Sequence, residues 1–356
     1  MTGLRYPTDT TEQPDQLEPV PVPGRRGLQS TLLRHLAVGV LAVVVVLLLS
    51  TELDPYRNLQ LTNVAYLVCA AAGLSVLTGL SGQISLGQGA LMAVGAYTTA
   101  LLLEAGWPLI PVLLIAVLLT SLVGVLVGAA AARLRGPYLA GATLAFAIGL
   151  PALADYRGLA ATLGGQNGLV VLSPPPPEWL SGLAFDRWQL AVSTIAAAIA
   201  LVLLGNLVHS RFGRSWRAVR DDEVAAELAG LPVARLQIIA FVVSAACAGL
   251  GGALLAFVNG LAAPGAFPLT LSLQLLAAVV LGGLGTIPGA IYGSFLLVFL
   301  PTWSASLATE LNLSRDVYAN LPLAVYGAVL VLVMLAFPSG VQGALRRIAH
   351  RVRRNR

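Results

Sequence analysis

The sequence predicts an all-α, polytopic integral membrane helical bundle of about 8–10 membrane segments, with one or two Gly-rich broken or re-entrant hairpins. Three observations carry this. The chain is 57% hydrophobic and only 10% charged, against roughly 25% charged in a soluble domain. Its apolar residues fall into runs close to the ~20 residues that a helix needs to cross a bilayer. Its arginines are shared unevenly between alternate connecting loops.

The elements follow in order. Residues 1–30 are polar and carry Pro7, Pro14, Pro19, Pro21 and Pro23, so they read as a disordered cytoplasmic tail and not as a secretory leader. Apolar segments run over Leu32–Thr51, Leu59–Thr78, Leu86–Leu103, Leu109–Ala132, Tyr138–Ala154, Leu190–Val208, Leu236–Val258, Leu271–Leu281, Ile287–Leu300 and Val317–Phe337. They define a transmembrane domain over residues 31–340, and residues 341–356 form a basic cytoplasmic tail. Leu271–Leu281 and Ile287–Leu300 are short for spans and flank Gly282-Gly283-Leu284-Gly285.

Orientation follows from the basic residues, all 21 of which are Arg. With both termini in the cytoplasm and alternating spans, 17 arginines fall inside and 4 (Arg57, Arg157, Arg187, Arg315) outside. One long span over Leu271–Leu300 would put the basic tail outside. Two short segments folding back at the glycines keep it inside.

The net charge of +5 lies at membrane edges, where topology explains it without nucleic acid. Cys69 and Cys247 sit in apolar runs and read as buried free thiols. There is no GxxxxGK[ST] nucleotide loop, no metal-ligand spacing and no catalytic Ser/His/Asp grouping, so no catalytic residue, metal or cofactor is assigned. The outer loop from Asp155 to Arg187 holds Gly164-Gly165-Gln166-Asn167-Gly168 and then the stiff run Pro174–Pro177. It reads either as a connector or as a face for an external partner.

Two stretches put polar or glycine residues at membrane depth. In residues 79–90, Gly82, Gly87 and Gly89 alternate with Gln83, Ser85 and Gln88. Glycine permits a hinge or close backbone approach, and amides and hydroxyls are costly in lipid unless they line a path or bond one another. A shortened echo follows at Gly283-Leu284-Gly285-Thr286-Ile287, with Gly283 and Gly285 as its hinge glycines. Paired interruptions of this kind point to a transport pathway. Tyr97 and Gln274 are further path candidates, among Asn63, Thr78, Thr143 and Ser244, each read more readily as a packing contact with a neighbouring helix than as a ligand contact. No span has a charged residue at its centre, which argues against ion-coupled carriage.

The charged island lies in the loop 209–235. Arg211, Arg214, Arg217, Arg220 and Arg235 accompany Asp221, Asp222, Glu223 and Glu227. Asp221 through Gly230 reads as a short helix capped by Asp221 and ended by Gly230 and Pro232. It reads as a topology-fixing loop or as a docking piece for a soluble partner.

Gly213 through Gly230 resembles the cytoplasmic loop of branched-chain amino-acid ABC transporter permeases of the LivM type. So do Gly82–Ala90, Arg135–Ala140 with Thr143–Phe146, Gly164–Gly168 and Gly282–Gly285. The resemblance implies a permease subunit in a bacterial inner membrane, with no catalysis of its own. Its partners would be two cytoplasmic ABC ATPases, a second homologous permease, an external solute-binding protein, the small-molecule solute and membrane lipid. It implies a coupling role for Arg217, Asp221, Asp222, Glu223, Ala225, Ala226 and Gly230. The Glu-Ala-Ala-x-x-x-Gly pattern of importer permeases is met at Ala225-Ala226 and Gly230. Its acid falls one place early, at Glu223, with Val224 in its stead. Leucine, isoleucine and valine are the implied solutes, with urea or amides as the alternative within the family. A self-sufficient carrier or channel is the alternative outside it.

Overall fold

The computed structural model describes residues 26–134, 137–310 and parts of 321–347. The expected span Val317–Phe337, Arg135-Gly136, residues 1–25 and most of the basic tail lie outside the described residues, wholly or in large part. Seven described helices are long and apolar enough to cross a membrane, or eight if one bent pair counts as a single span.

The first helix, α1 (Arg26–Glu52), starts inside the interval expected as tail. Its 18-residue apolar window has no buried residue, and it lies against α7 (Phe185–His209) at the edge of the bundle. The bundle forms around α2 (Pro55–Leu74) and α10 (Val233–Asn259), with α3 (Gln88–Glu104) and α4 (Leu109–Ala131) beside them. α5 (Pro137–Ala154) bends by 74° into a short α6 (Arg157–Leu163) that the sequence did not announce.

Small residues let the central helices approach to backbone contact. A methyl carbon added at Gly252 would overlap the Met92 carbonyl, and one at Gly95 would overlap the Gly249 carbonyl. Such contact replaces the hydrophobic drive that lipid withholds between spans. Cys69 and Cys247 are buried free thiols, with Cys247 pressed against Gly73.

The glycine cluster Gly282–Gly285 turns the chain back as a hairpin of α11 (Leu269–Gly282) and α12 (Ile287–Glu310). Gly282 and Gly293 bring the two helices together. α12 continues ten residues beyond the expected end at Leu300, through Pro301. Pro301 removes one helical donor without ending the helix.

The loop after α6 is tied down. A two-residue strand β1 (Leu169–Val170) pairs antiparallel with β2 (Leu261–Ala262). Ser173 donates to the Phe257 carbonyl, and Trp188 Nε1 donates to the Pro174 carbonyl at 3.2 Å. Gln189 donates to the carbonyls of Phe257 and Val258, both at 3.2 Å, at the end of α10. The proline run is thus a strap over one end of the bundle.

The substitution Gly252→Val is expected to destabilise the fold by about 3 kcal/mol, as overpacking against backbone does. Gly141→Ala on α5 meets nothing within 4 Å and is expected to leave stability intact or raise it by up to about 1 kcal/mol. Thermal unfolding of the purified protein in detergent compares the two.

Candidate functional site

The charged island folds as two helices, α8 (Arg211–Asp221) and α9 (Glu223–Leu228). Ser210 caps α8 by accepting from the Phe212 amide at 3.2 Å. Its apolar edge is buried: Trp216 is fully covered, and its Nε1 donates to the Leu236 carbonyl at 2.9 Å. Arg217 turns back on α7 and donates to the Val208 carbonyl at 3.4 Å.

The cap of the second helix is Asp222, not Asp221. Asp222 has extended backbone (φ −157°, ψ 109°), and its Oδ1 accepts from the Ala225 amide at 2.9 Å. Asp221 cannot serve, because it is the last residue of α8 and its carboxylate is held by Arg220 at 2.8 Å. The helix therefore spans Glu223–Leu228, and Gly230 ends it with φ +82°. Glu223 accepts from Gln237 at 3.2 Å, which ties α9 to α10. Ala226 faces inward at 4% exposure, whereas Val224 at 63%, Ala225 and Leu228 at 85% face outward beside Asp222 and Glu227. An apolar helix face ringed by acids is thus left without a partner among the described residues.

The turn at residues 79–87 lies against α8, where Gly82 faces Arg220. α2 widens to a π-helical turn over Ser75–Leu80 before the chain leaves helical geometry. Gly82 takes φ +76°, a conformation open chiefly to glycine. Gly87 and Gly89 have ordinary φ and matter through their size: Gly87 lies against Phe146, and the Gly89 amide donates to Ser272 Oγ at 2.9 Å.

The polar path candidates divide in two. Gln88 is fully buried and spent on packing, since it donates to the Ala70 carbonyl at 2.8 Å and accepts from Ser244 at 3.2 Å. Ser85 accepts from the Gly87 amide at 3.3 Å. Gln83, at 6% exposure, keeps a buried Oε1 with no partner, as do the hydroxyls of Thr78 and Ser81 beside it in sequence. Tyr97 stands nine residues further along α3 than Gln88, roughly 13 Å by helical rise. Its hydroxyl is also buried without a partner. Gln274 is half-buried on α11, two residues from Ser272. The turn and α11 are joined through Gly89 and Ser272, while Tyr97 is set apart.

The two glycine turns touch. A methyl carbon at Gly79 would overlap the Gly285 backbone, and Ser75 donates to the Thr286 carbonyl at 3.4 Å. Gly283 and Gly285 have φ +117° and +72°, and Gly340 lies on Gly283. His35, near the start of α1, meets Asn206 at 3.0 Å and the His209 ring at 5.1 Å between centroids. The start of α1, the island and both glycine turns therefore share one side of the bundle. The sequence reading omitted Arg220 from the site, although it follows Arg214 and Arg217 at a spacing of three. In the fold it donates to the Gly79 carbonyl at 2.8 Å.

Fold and site together define a polytopic helical membrane protein that carries a short helix with an exposed apolar face and, against the neighbouring α8, a broken helix. Residues 59–336 match the family described as the branched-chain amino acid transport system / permease component. The chain is 34% identical over 298 residues to the high-affinity branched-chain amino acid transport system permease protein LivM of Escherichia coli (strain K12), covering 76% of this chain and 66% of that protein. It is 28% identical over 291 residues to LivH of the same organism, covering 77% and 90% of the two chains. To the autoinducer 2 import system permease protein LsrC of Yersinia pseudotuberculosis it is 29% identical over 271 residues, covering 69% and 72%. The chain thus spans 66% of the length of the LivM relative. No solved structure matches it. The chain belongs to the branched-chain amino acid transport permease family.

Replacing Asp222 by Ala is expected to cost α9 about 1 kcal/mol of local stability, while Asp221→Ala leaves the cap in place. Amide exchange at Ala225 should accelerate roughly fivefold in the first variant and not in the second.

Proposed function

We propose that this chain is a permease subunit of an ATP-binding cassette importer, forming half of a transmembrane path for leucine, isoleucine, valine or related small solutes. One observation carries the reading: the outward face of α9, with Val224 and Leu228 exposed beside Asp222 and Glu227, on a chain of this permease family. A helix presented this way fits a groove on a soluble subunit. The names of LivM and LivH support the solute class. In this reading two cytoplasmic ATPases dock on α8 and α9, a second homologous permease completes the path, and an external solute-binding protein delivers the solute. The island side is then cytoplasmic, in a bacterial inner membrane, with both termini on that side.

The mechanism is alternating access. Closure of the ATPases displaces α8 and α9, which are fastened to α10 through Trp216 and through Glu223 with Gln237. The glycine turns yield, because Gly82, Gly283 and Gly285 already occupy backbone conformations apart from the helix. Gln83, with the unpartnered Thr78 and Ser81 hydroxyls, is the polar group best placed to meet a solute's ammonium or carboxylate. Ser85 and Gln88 shape the turn. Tyr97 and Gln274 act elsewhere along the path. On the opposite side Val170, Leu172 and Trp179 are 71%, 82% and 81% exposed on the strapped loop, a surface suited to the external protein.

Reconstitution in liposomes with and without the ATPases and binding protein tests this. Uptake of radiolabelled leucine should require both, and uptake by the chain without ATPases would identify a self-sufficient carrier instead. Uptake of urea or amides in place of leucine would move the assignment to the alternative solutes. Leu228→Glu should weaken association with the ATPases at least tenfold in a pull-down, since burial of one such side chain contributes about 1.5–3 kcal/mol. Undiminished association would remove α9 from the interface.

A further inference from the structure

The π-helical turn at the end of α2 leaves a backbone group over. The Ser81 amide donates to the Val76 carbonyl at 3.1 Å, and the Gln83 amide reaches back to the Leu77 carbonyl at 3.2 Å. The Gly79 carbonyl receives no backbone donor among the described residues. Gly79 is buried, and a buried carbonyl left without a donor costs about 1–3 kcal/mol. It is met from the island, where Arg220 Nη1 donates at 2.8 Å. The same guanidinium uses Nε and Nη2 on Asp221 Oδ1, at 3.0 and 2.8 Å. Gly82 makes room for it, since a methyl carbon there would stand 2.9 Å from Arg220 Cγ. Gly79, in turn, bears on Gly285 of the second turn.

We infer that Arg220 is a positioning residue that carries displacement of α8 and α9 to both glycine turns through the Gly79 carbonyl. The inference rests on the import function proposed above. A charged donor on a neutral carbonyl is among the stronger hydrogen bonds. Arg220 is 41% exposed and reaches inward from a helix otherwise anchored to α10 by Trp216. Movement of α8 with α10 is thereby turned into movement of the break between α2 and α3. Asp221 fixes the guanidinium plane so that Nη1 points at Gly79. A purely topological arginine would need neither contact.

The test uses the complete reconstituted importer and measures solute transported per ATP hydrolysed. Arg220→Gln is expected to assemble with the ATPases, and its transport per ATP hydrolysed to fall about tenfold, within the span of ordinary coupling energies. Arg220→Lys keeps a cation that reaches the carbonyl but cannot also grip Asp221, and is expected to fall about threefold. Asp221→Asn retains the carbonyl bond and should fall less than Arg220→Gln. Proportional loss of transport and hydrolysis, or no change in their ratio, overturns the inference. Should Arg220→Gln fail to assemble, Arg220→Lys decides: an unchanged ratio overturns the inference and a reduced one supports it. A wild-type complex that transports nothing would instead count against the import function.

Discussion

Inside a membrane a backbone polar group that leaves helical pairing must find its partner within the protein, because lipid offers none. The stretch from Ser75 to Gly87 is where this chain meets that constraint, and much of the surrounding structure answers it. The π turn reuses the carbonyls of Val76 and Leu77. Thr143 on α5 supplies its hydroxyl oxygen to the Leu86 amide at 3.1 Å. Ser272 on α11 receives the Gly89 amide, and Gln88 bonds α2 and α10 at once. Arg220 meets the Gly79 carbonyl from the charged island. One break thus recruits α5, α8, α10 and α11 around it.

Glycine makes the arrangement sterically possible in two ways. At Gly82, Gly283 and Gly285 it permits positive φ, so the chain can turn within the bundle. At Gly79, Gly95 and Gly252 the absence of a side chain lets backbone meet backbone. The first use creates turns. The second holds helices where hydrophobic burial contributes little. Their combination places two turns in contact within a tightly built bundle.

Most of the helices were legible in the sequence, because a bilayer demands long apolar runs and this chain is poor in charge. The charged island was legible for the same reason, as an interruption. Element ends were less so. α12 passes through Pro301, since one lost donor is tolerable in a helix held by α11 and α2. The cap moved from Asp221 to Asp222 because Arg220 claims the first carboxylate, a contact invisible to spacing alone. Of the polar path candidates, Gln83 and Gln88 look alike in sequence. Only the fold shows one amide with a free oxygen and the other spent on Ala70 and Ser244.

By itself the sequence determined the fold class, the positions of the main apolar helices and the two places where glycine interrupts them. Those follow from local composition and period. The tertiary structure decided that the two interruptions touch, and that Arg220 joins the island to the first of them. It also decided which polar side chains are left without partners. Such facts depend on which helices are neighbours, and neighbours more than 140 residues apart leave no local trace in the chain.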